Sequence, residues 1–127
     1  MSDWTKIIVI SDLHLRAGGA PALGIDTTSR FEAALAQIKE FHPDIDCLFC
    51  AGDMADDGLD ETYDLFAKIM RDAGYDWIVT TGNHDNREGF ARIAKRHRAT
   101  GSFDTIYRHA HGQVCLLDTL VEDANHG

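Results

Sequence analysis

Apolar residues fall along this chain in two alternating rhythms. Short unbroken runs occur at Ile7-Ile8-Val9-Ile10, Cys47-Leu48-Phe49-Cys50 and Trp77-Ile78-Val79. Runs of this kind belong to strands covered on both faces, as in parallel sheets. Between them the spacing widens to a helical period, with Phe31, Ala34, Leu35, Ile38 and Phe41 on one face and Tyr63, Phe66, Ala67 and Met70 on another. The pattern predicts strands over 6–11, 46–51 and 77–81. It places a first helix after the capping box Ser29-Arg30-Phe31-Glu32 and ends it before Pro43. A second helix is capped by Asp60 and stopped at Gly74, and a third is capped by Asn86 with Phe90, Ile93 and Ala94 turned inward. Beyond Gly101 the period shortens again. Segments 103–108 and 113–118 predict a hairpin joined by His109-Ala110-His111-Gly112, and Val121 to Gly127 reads as a loop-like tail. The order β-α-β-α-β-α-β-β is that of an α/β domain, with no internal repeat or linker.

Composition narrows the partners. The 127 residues are 44% hydrophobic and 26% charged, about one domain's worth, and carry a net charge of −9. Broad binding to a nucleic-acid backbone needs clustered basic residues, and that balance argues against it. It does not argue against a small phosphate ester, because bound cations dominate a local field. The polar start Met1-Ser2-Asp3-Trp4-Thr5-Lys6 and the shortness of the run after it give no signal peptide or membrane span, so a cytoplasmic location is expected. Cys47 and Cys50 lie three apart in a predicted strand and face opposite ways, which makes them core thiols rather than a redox pair. Cys115 is expected to be a core thiol as well.

Each of the three predicted parallel strands ends in a polar motif: Asp12-Leu13-His14, Gly52-Asp53 and Gly82-Asn83-His84-Asp85. Strand ends of an open α/β sheet are where ligands bind. Asp12 and His14, two apart, point the same way if that segment is extended, and one carboxylate with one imidazole suits iron, manganese, cobalt or zinc. Asp53 offers a further carboxylate, to one ion or bridging two. Asn83 offers a neutral amide oxygen, and His84 a general acid or a contact for a leaving group. Taken singly, each of these is also an ordinary loop residue, with Asn83 and Asp85 as turn and cap formers. Their coincidence at three consecutive strand ends favours a shared metal site. Arg16 reads as an exposed loop residue. The cluster Arg92, Lys95, Arg96, His97 and Arg98 reads as the cationic end of a helix.

Asp12-x-His14, Gly52-Asp53-x-x-Asp56 and Gly82-Asn83-His84-Asp85 resemble the first three motifs of the calcineurin-like metallophosphoesterases. Gly24-Ile25-Asp26, Gly58 with Glu61-Thr62-Tyr63, and Leu116-Leu117-Asp118 are similar to the class III cyclic-nucleotide phosphodiesterase and glycerophosphodiesterase group. The resemblance implies a four-layer α/β/β/α sandwich of which residues 1–127 form the N-terminal half, a single incomplete domain. It implies two metal ions (iron, manganese, zinc or cobalt), with Asp12 and His14 on the first, Asp53 bridging both and Asn83 on the second. By the same resemblance His84 and Asn83 contact the substrate phosphate, His84 assists the leaving group, and Asp56 stands behind the ligands. Asp57 is expected to be a loop residue.

The implied reaction is hydrolysis of a small phosphodiester, cyclic nucleotide or glycerophosphodiester, by hydroxide generated at a binuclear site. The family's later His and Gly-His-x-His motifs have no counterpart. His109-x-His111 copies only their spacing within a hairpin turn, and His126 lies in the tail. The chain alone is therefore expected to be inactive and to associate, either with the missing C-terminal half or with itself. Three other readings fit the motifs less well. A non-catalytic scaffold on the same fold is disfavoured by the intact ligand set, a nuclease by the acidic charge, and an aspartyl-phosphate domain by the lack of a phosphate-binding Lys after a strand.

Overall fold

A computed structural model of the chain describes residues 3–94 and 103–121. Three strands, β1 (Ile7–Ile10), β2 (Cys47–Ala51) and β3 (Trp77–Thr80), form a parallel sheet in the order β1-β2-β3. Ile7 pairs with Cys47 and Ile10 with Cys50, while Leu48 pairs with Trp77 and Ala51 with Thr80. Two helices, α1 (Thr27–Phe41) and α2 (Asp60–Ala73), make the crossovers. A single turn, α3 (Arg87–Phe90), follows β3, and the hairpin β4 (Thr105–His109) and β5 (Gly112–Leu116) forms a separate antiparallel pair.

The alternation within β2 divides the core. Leu48 and Cys50 face the helices, where Phe31, Leu35 and Ile38 of α1 meet Tyr63, Phe66 and Met70 of α2. Phe66 lies at the centre, stacked on Phe31 at 5.8 Å between ring centroids and edge-on to Trp77 at 5.3 Å. Cys47 and Phe49 face the other way, onto Leu116, Tyr107 and Val114 of the hairpin. The layers are thus helices, parallel sheet and hairpin. Burying each large apolar side chain in them is worth about 1.5–3 kcal/mol. Cys47 and Cys50 are buried as expected; Cys115 is exposed, because β5 turns it away from the sheet while Leu116 points inward.

Several boundaries differ from the sequence pattern. The first helix is capped by Asp26, whose carboxylate accepts from the Ser29 amide at 3.0 Å and the Ser29 hydroxyl at 2.8 Å. Ser29 is the third residue of the helix rather than its cap, since an Asp two residues ahead of Thr28 captures the free amides first. Phe41, the last helical residue, is 67% exposed. Asp60 is the first residue of α2 rather than its cap; Leu59 holds the cap position without a side-chain cap bond. Asp57 braces the helix start by accepting from the Leu59 amide and the Thr62 hydroxyl, and from the Ala17 amide across the loop. Asn86 does cap α3, accepting from the Gly89 amide, and Phe90 and Ile93 are buried. The hairpin turns on Ala110 and His111 alone, with His109 and Gly112 paired inside the strands. Lys95 to Arg98 and His126 lie outside the described residues. No helix among the described residues is long and apolar enough to cross a membrane.

The hairpin is bolted to the end of β3 through Asp118. Its buried carboxylate accepts from the Arg87 guanidinium, from the Thr81 hydroxyl at 2.6 Å and from the Phe103 and Leu120 amides at 2.9 and 3.1 Å. Thr80 adds a bond from its hydroxyl to the Leu117 carbonyl at 2.9 Å. Burial pushes the Asp118 carboxyl up, but the Arg87, Thr81 and amide donors outweigh it and hold the pKa at about 2. A folded-state value below the ordinary ~3.9 means that the charged form stabilises the fold. That contribution, about 2 kcal/mol, is complete above pH ~4 and disappears as pH falls toward 2. Urea unfolding across this range should show the loss, and Asp118→Asn should abolish its share of the slope. The variant should also be about 3 kcal/mol less stable at neutral pH, because the Arg87 guanidinium then faces a neutral amide in place of the Asp118 carboxylate.

Candidate metal centre

The site begins where the paired strands end. After Ile10 the chain does not diverge from β2 but continues beside it. The Asp12 amide donates to the Gly52 carbonyl, His14 to Asp53 and Leu15 to Met54, each at 3.0 Å, and the Asp56 amide returns to Leu15 at 2.9 Å. Leu15, Met54 and Ala55 are fully buried beneath this ladder. The segment is not simply extended. Asp12, His14 and Asp53 all take left-handed backbone conformations, with φ of 58°, 48° and 54°. The expectation that Asp12 and His14 converge by strand alternation is therefore replaced by a different geometry. Two left-handed kinks, each costing on the order of 1–3 kcal/mol for a non-glycine residue, turn both side chains toward Asp53.

The third strand end closes on the second. Gly82 packs against Asp53 so tightly that a Cβ there would lie 2.1 Å from the Asp53 carboxylate and 2.4 Å from its amide nitrogen. Gly52, at φ 93°, takes a backbone conformation that strains any other residue, and a methyl group there would lie 3.2 Å from the Gly82 Cα and the Thr81 carbonyl oxygen, a tight fit against backbone. These contacts explain why both motifs begin with glycine. The turn Gly82–Asp85, closed by the Asp85 amide on the Gly82 carbonyl at 3.2 Å, then presents Asn83 and His84 to solvent. The His84 amide donates to Asp53 at 2.9 Å.

Asp85 holds the three pieces together. This buried carboxylate accepts from the Gly82 amide at 2.8 Å, the Ala55 amide at 3.1 Å, the Met54 amide at 3.4 Å and the Tyr63 hydroxyl at 2.9 Å. It therefore ties the β2 loop, the β3 loop and α2 to one point. Burial raises its pKa despite those donors. Burial and the facing Asp85 also raise the pKa of Tyr63, which keeps its hydroxyl a donor to the carboxylate while it accepts from the Asn86 amide. Neither role is visible in the sequence, where Asp85 reads as a turn residue and Tyr63 as part of an apolar stripe. The Tyr63 spacing to Asp85 gives no periodic signal.

Around this frame the polar side chains gather in two overlapping groups. One donor atom each from Asp12, His14 and Asp53 lies within 4.8 Å of the others, and the same holds for His14, Asp56 and His84. His14 Nε2 stands 3.7 Å from both Asp12 Oδ1 and Asp53 Oδ2. That is beyond hydrogen-bond reach and close to the roughly 3–3.5 Å between neighbouring donors on one ion with bonds of about 2.1 Å. Three carboxylates crowded around two imidazoles are a donor set that fits a cation. His14 Nδ1 lies 3.1 Å from Asp56 Oδ1, the arrangement that fixes a ligating imidazole through its far nitrogen. Asp56 is in turn gripped by Arg16, whose Nε and Nη2 both lie 2.7 Å from Oδ2. Arg16 is thus not a bystander. Burial raises the Asp56 carboxyl, and the bonds from Arg16 and His14 bring it below its ordinary value. His84 completes the cluster, 3.6 Å from Asp56 through Nδ1 and edge-on to His14 at 4.8 Å.

His109 and His111 lie elsewhere, on the hairpin turn, where His111 Nδ1 is bonded to the Thr5 hydroxyl at 2.7 Å. They take no part in either group. Arg92 is engaged at the surface by Asp64 through two bonds of 2.8 and 2.9 Å.

Residues 5–124 match the family model described as calcineurin-like phosphoesterase. The chain belongs to that family. Its sequence is 36% identical over 124 residues to a probable cyclic nucleotide phosphodiesterase of Rhodopseudomonas palustris, a match spanning 95% of this chain and 45% of the relative. It is 28% identical over 123 residues to the 3′,5′-cyclic adenosine monophosphate phosphodiesterase CpdA of Haemophilus influenzae, covering 96% and 44%. A probable glycerophosphodiester phosphodiesterase GpdQ of Arcobacter nitrofigilis is 29% identical over 87 residues, 68% of this chain and 32% of that one. The chain thus spans under half the length of these curated relatives. Membership in a metallophosphoesterase family implies divalent metal ions, and the parallel sheet with helical crossovers is the α/β architecture expected of it.

Two substitutions test the frame. Gly82→Ala forces a methyl group into the Asp53 carboxylate, so it should weaken manganese binding at least tenfold by calorimetry. Asp85→Asn presents an amide to amide donors, and should lower stability by about 2–3 kcal/mol in thermal or urea unfolding.

Proposed function

We propose that this chain carries the metal-binding part of a phosphodiesterase that hydrolyses small phosphodiesters, of cyclic nucleotide or glycerophosphodiester type. One observation carries the reading. Asp12, His14 and Asp53, from two strand ends, bring their donor atoms within 4.8 Å on a strained backbone. Backbone strain of this kind persists where a site needs it and a rigid frame enforces it. The names of the relatives point to the same chemistry.

In this reading Asp12, His14 and Asp53 hold one ion, and Asp53 with Asn83 contributes to a second. Iron, manganese, zinc and cobalt all suit this mixture of carboxylate, imidazole and amide. Bound there, the ions supply Lewis acidity toward a phosphoryl oxygen and toward water. The remaining steps belong to the protein. Asp56, locked by Arg16, keeps the His14 Nδ1 proton and leaves Nε2 facing Asp12 and Asp53. His84 is exposed at the cleft and also lies near Asp56, so it can bind a phosphate oxygen and give a proton to the departing alkoxide. Asn83, on the same turn, supplies the phosphate with an uncharged donor. Three protein donors leave open positions on an ion, and residues beyond those named here complete the centre in the whole protein. In this reading residues 1–127 form the N-terminal half of a single metallophosphoesterase domain, which works in the cytoplasm on a small-molecule substrate.

The test is turnover of an aryl phosphodiester or a cyclic nucleotide by the whole protein. Activity should require manganese, iron, cobalt or zinc and vanish in chelator; undiminished turnover in metal-free buffer overturns the reading. Asp53→Asn should lower metal content at both positions by elemental analysis, whereas Asp56→Asn should leave the stoichiometry unchanged and weaken affinity by about 10–100-fold. Equal metal content in wild type and Asp53→Asn overturns the bridging role.

A further inference from the structure

The loop between His14 and α1 carries a feature that metal binding does not explain. Ala22 and Ile25 bond to each other in both directions, amide to carbonyl at 3.0 and 2.9 Å. They close a two-residue turn whose central residues, Leu23 and Gly24, are both left-handed at φ 48° and 76°. That is the backbone of a type I′ turn, whose first central position is normally Asn, Asp or Gly. Here it is leucine, a residue that strongly disfavours this conformation, and its side chain is 96% exposed. Ile25 beside it is 43% exposed, while Ala22 at the base is buried and anchors the turn.

An exposed, conformationally disfavoured leucine on a rigid turn needs a contact. The surroundings indicate which. Leu23 and Ile25 line a cleft of about 600 Å³ that is also lined by Asp12, His14, Asp56 and His84. The volume is in the range of small-ligand sites, ~300–1,000 Å³. The wall beyond them carries Ile10, Leu13, Phe31 and Ala34, with Thr27 and Arg30 as its polar members, and Phe31 is held in place by its stack on Phe66. A phosphate held at the polar residues therefore has its organic substituent beside an apolar surface.

We propose that the Ala22–Ile25 turn is a specificity prong, with Leu23 and Ile25 covering a planar heterocyclic base attached to the scissile phosphate. The proposal rests on the phosphodiesterase reading and deepens it by choosing a nucleotide over a glycerol diester. Glycerol hydroxyls laid against Leu23 and Ile25 lose water and gain no partner, whereas the face of a base loses little and buries apolar area. Discrimination in such a pocket is limited to about one or two orders of magnitude.

The experiment measures equilibrium binding of adenosine 5′-monophosphate and ribose 5-phosphate to the whole protein in manganese. The two probes share the phosphate and the sugar and differ only in the base. Wild type should bind the nucleotide about tenfold or more tightly. Leu23→Asn removes the apolar prong but suits the left-handed turn, so its melting temperature should not fall. In that variant the preference should shrink to about threefold or less while ribose 5-phosphate affinity is unchanged. Equal binding of the two probes by wild type overturns the proposal. So does a preference that survives Leu23→Asn, or a variant that loses both ligands equally and melts earlier, the sign of a turn that packs against protein. Nucleotide preference without diester turnover leaves the prong standing and overturns only the hydrolase reading.

Discussion

The site depends on a run of backbone hydrogen bonds that carries β1 past its own end alongside β2. Without the bonds from Asp12, His14 and Leu15 to Gly52, Asp53 and Met54, the two strands would release their loops separately and the carboxylates would drift apart. Three charged groups at close range repel one another, by several kcal/mol at the effective dielectric of a protein surface. The frame must therefore be stiff before any cation arrives. Buried Leu15, Met54 and Ala55 supply that stiffness from below, and the Asp85 carboxylate supplies it from the side.

Stiffness of this kind has a thermodynamic consequence. Left-handed Asp12, His14 and Asp53 each raise the energy of the folded chain, and so does the burial of the Asp85 carboxylate, which its hydrogen-bond donors offset only in part. The apolar contacts of the two cores offset these terms. Phe66 between Phe31 and Trp77 secures the helix side of the sheet, and Phe49 against Tyr107 secures the hairpin side. The Arg87–Asp118 link then prevents the hairpin from pulling away from the strand end that presents Asn83 and His84. Packing far from the ligands thus sets how closely the ligands approach.

A layered arrangement also separates the roles of neighbouring residues in a motif. In Gly52-Asp53-x-x-Asp56-Asp57, Asp53 faces His14 and Asp12, Asp56 bridges Arg16 and the imidazoles, and Asp57 braces the Ala17 loop and the start of α2. In Gly82-Asn83-His84-Asp85, the two central residues face outward and the flanking pair is consumed by the frame. Chemically similar side chains one or two positions apart therefore do different work, because turn geometry rather than residue type sends each to its own place.

By itself the sequence determined the parallel strands, the two long helices and the identity of the polar groups at the strand ends. Those follow from periodicity and from burial on two faces, which are local properties: Leu48 and Phe49 must face opposite layers whatever surrounds them. It also carried the motif resemblance, since short motifs at strand ends survive in linear order. Only the tertiary structure decided how Asp12 and His14 converge, because left-handed backbone at a non-glycine residue leaves no mark in an apolar pattern. The same holds for Arg16 behind Asp56 and for Tyr63 beneath Asp85. Each is a hydrogen bond whose geometry is set by two segments meeting, and residues 40 and 22 positions apart respectively become partners only once the sheet has brought those segments together.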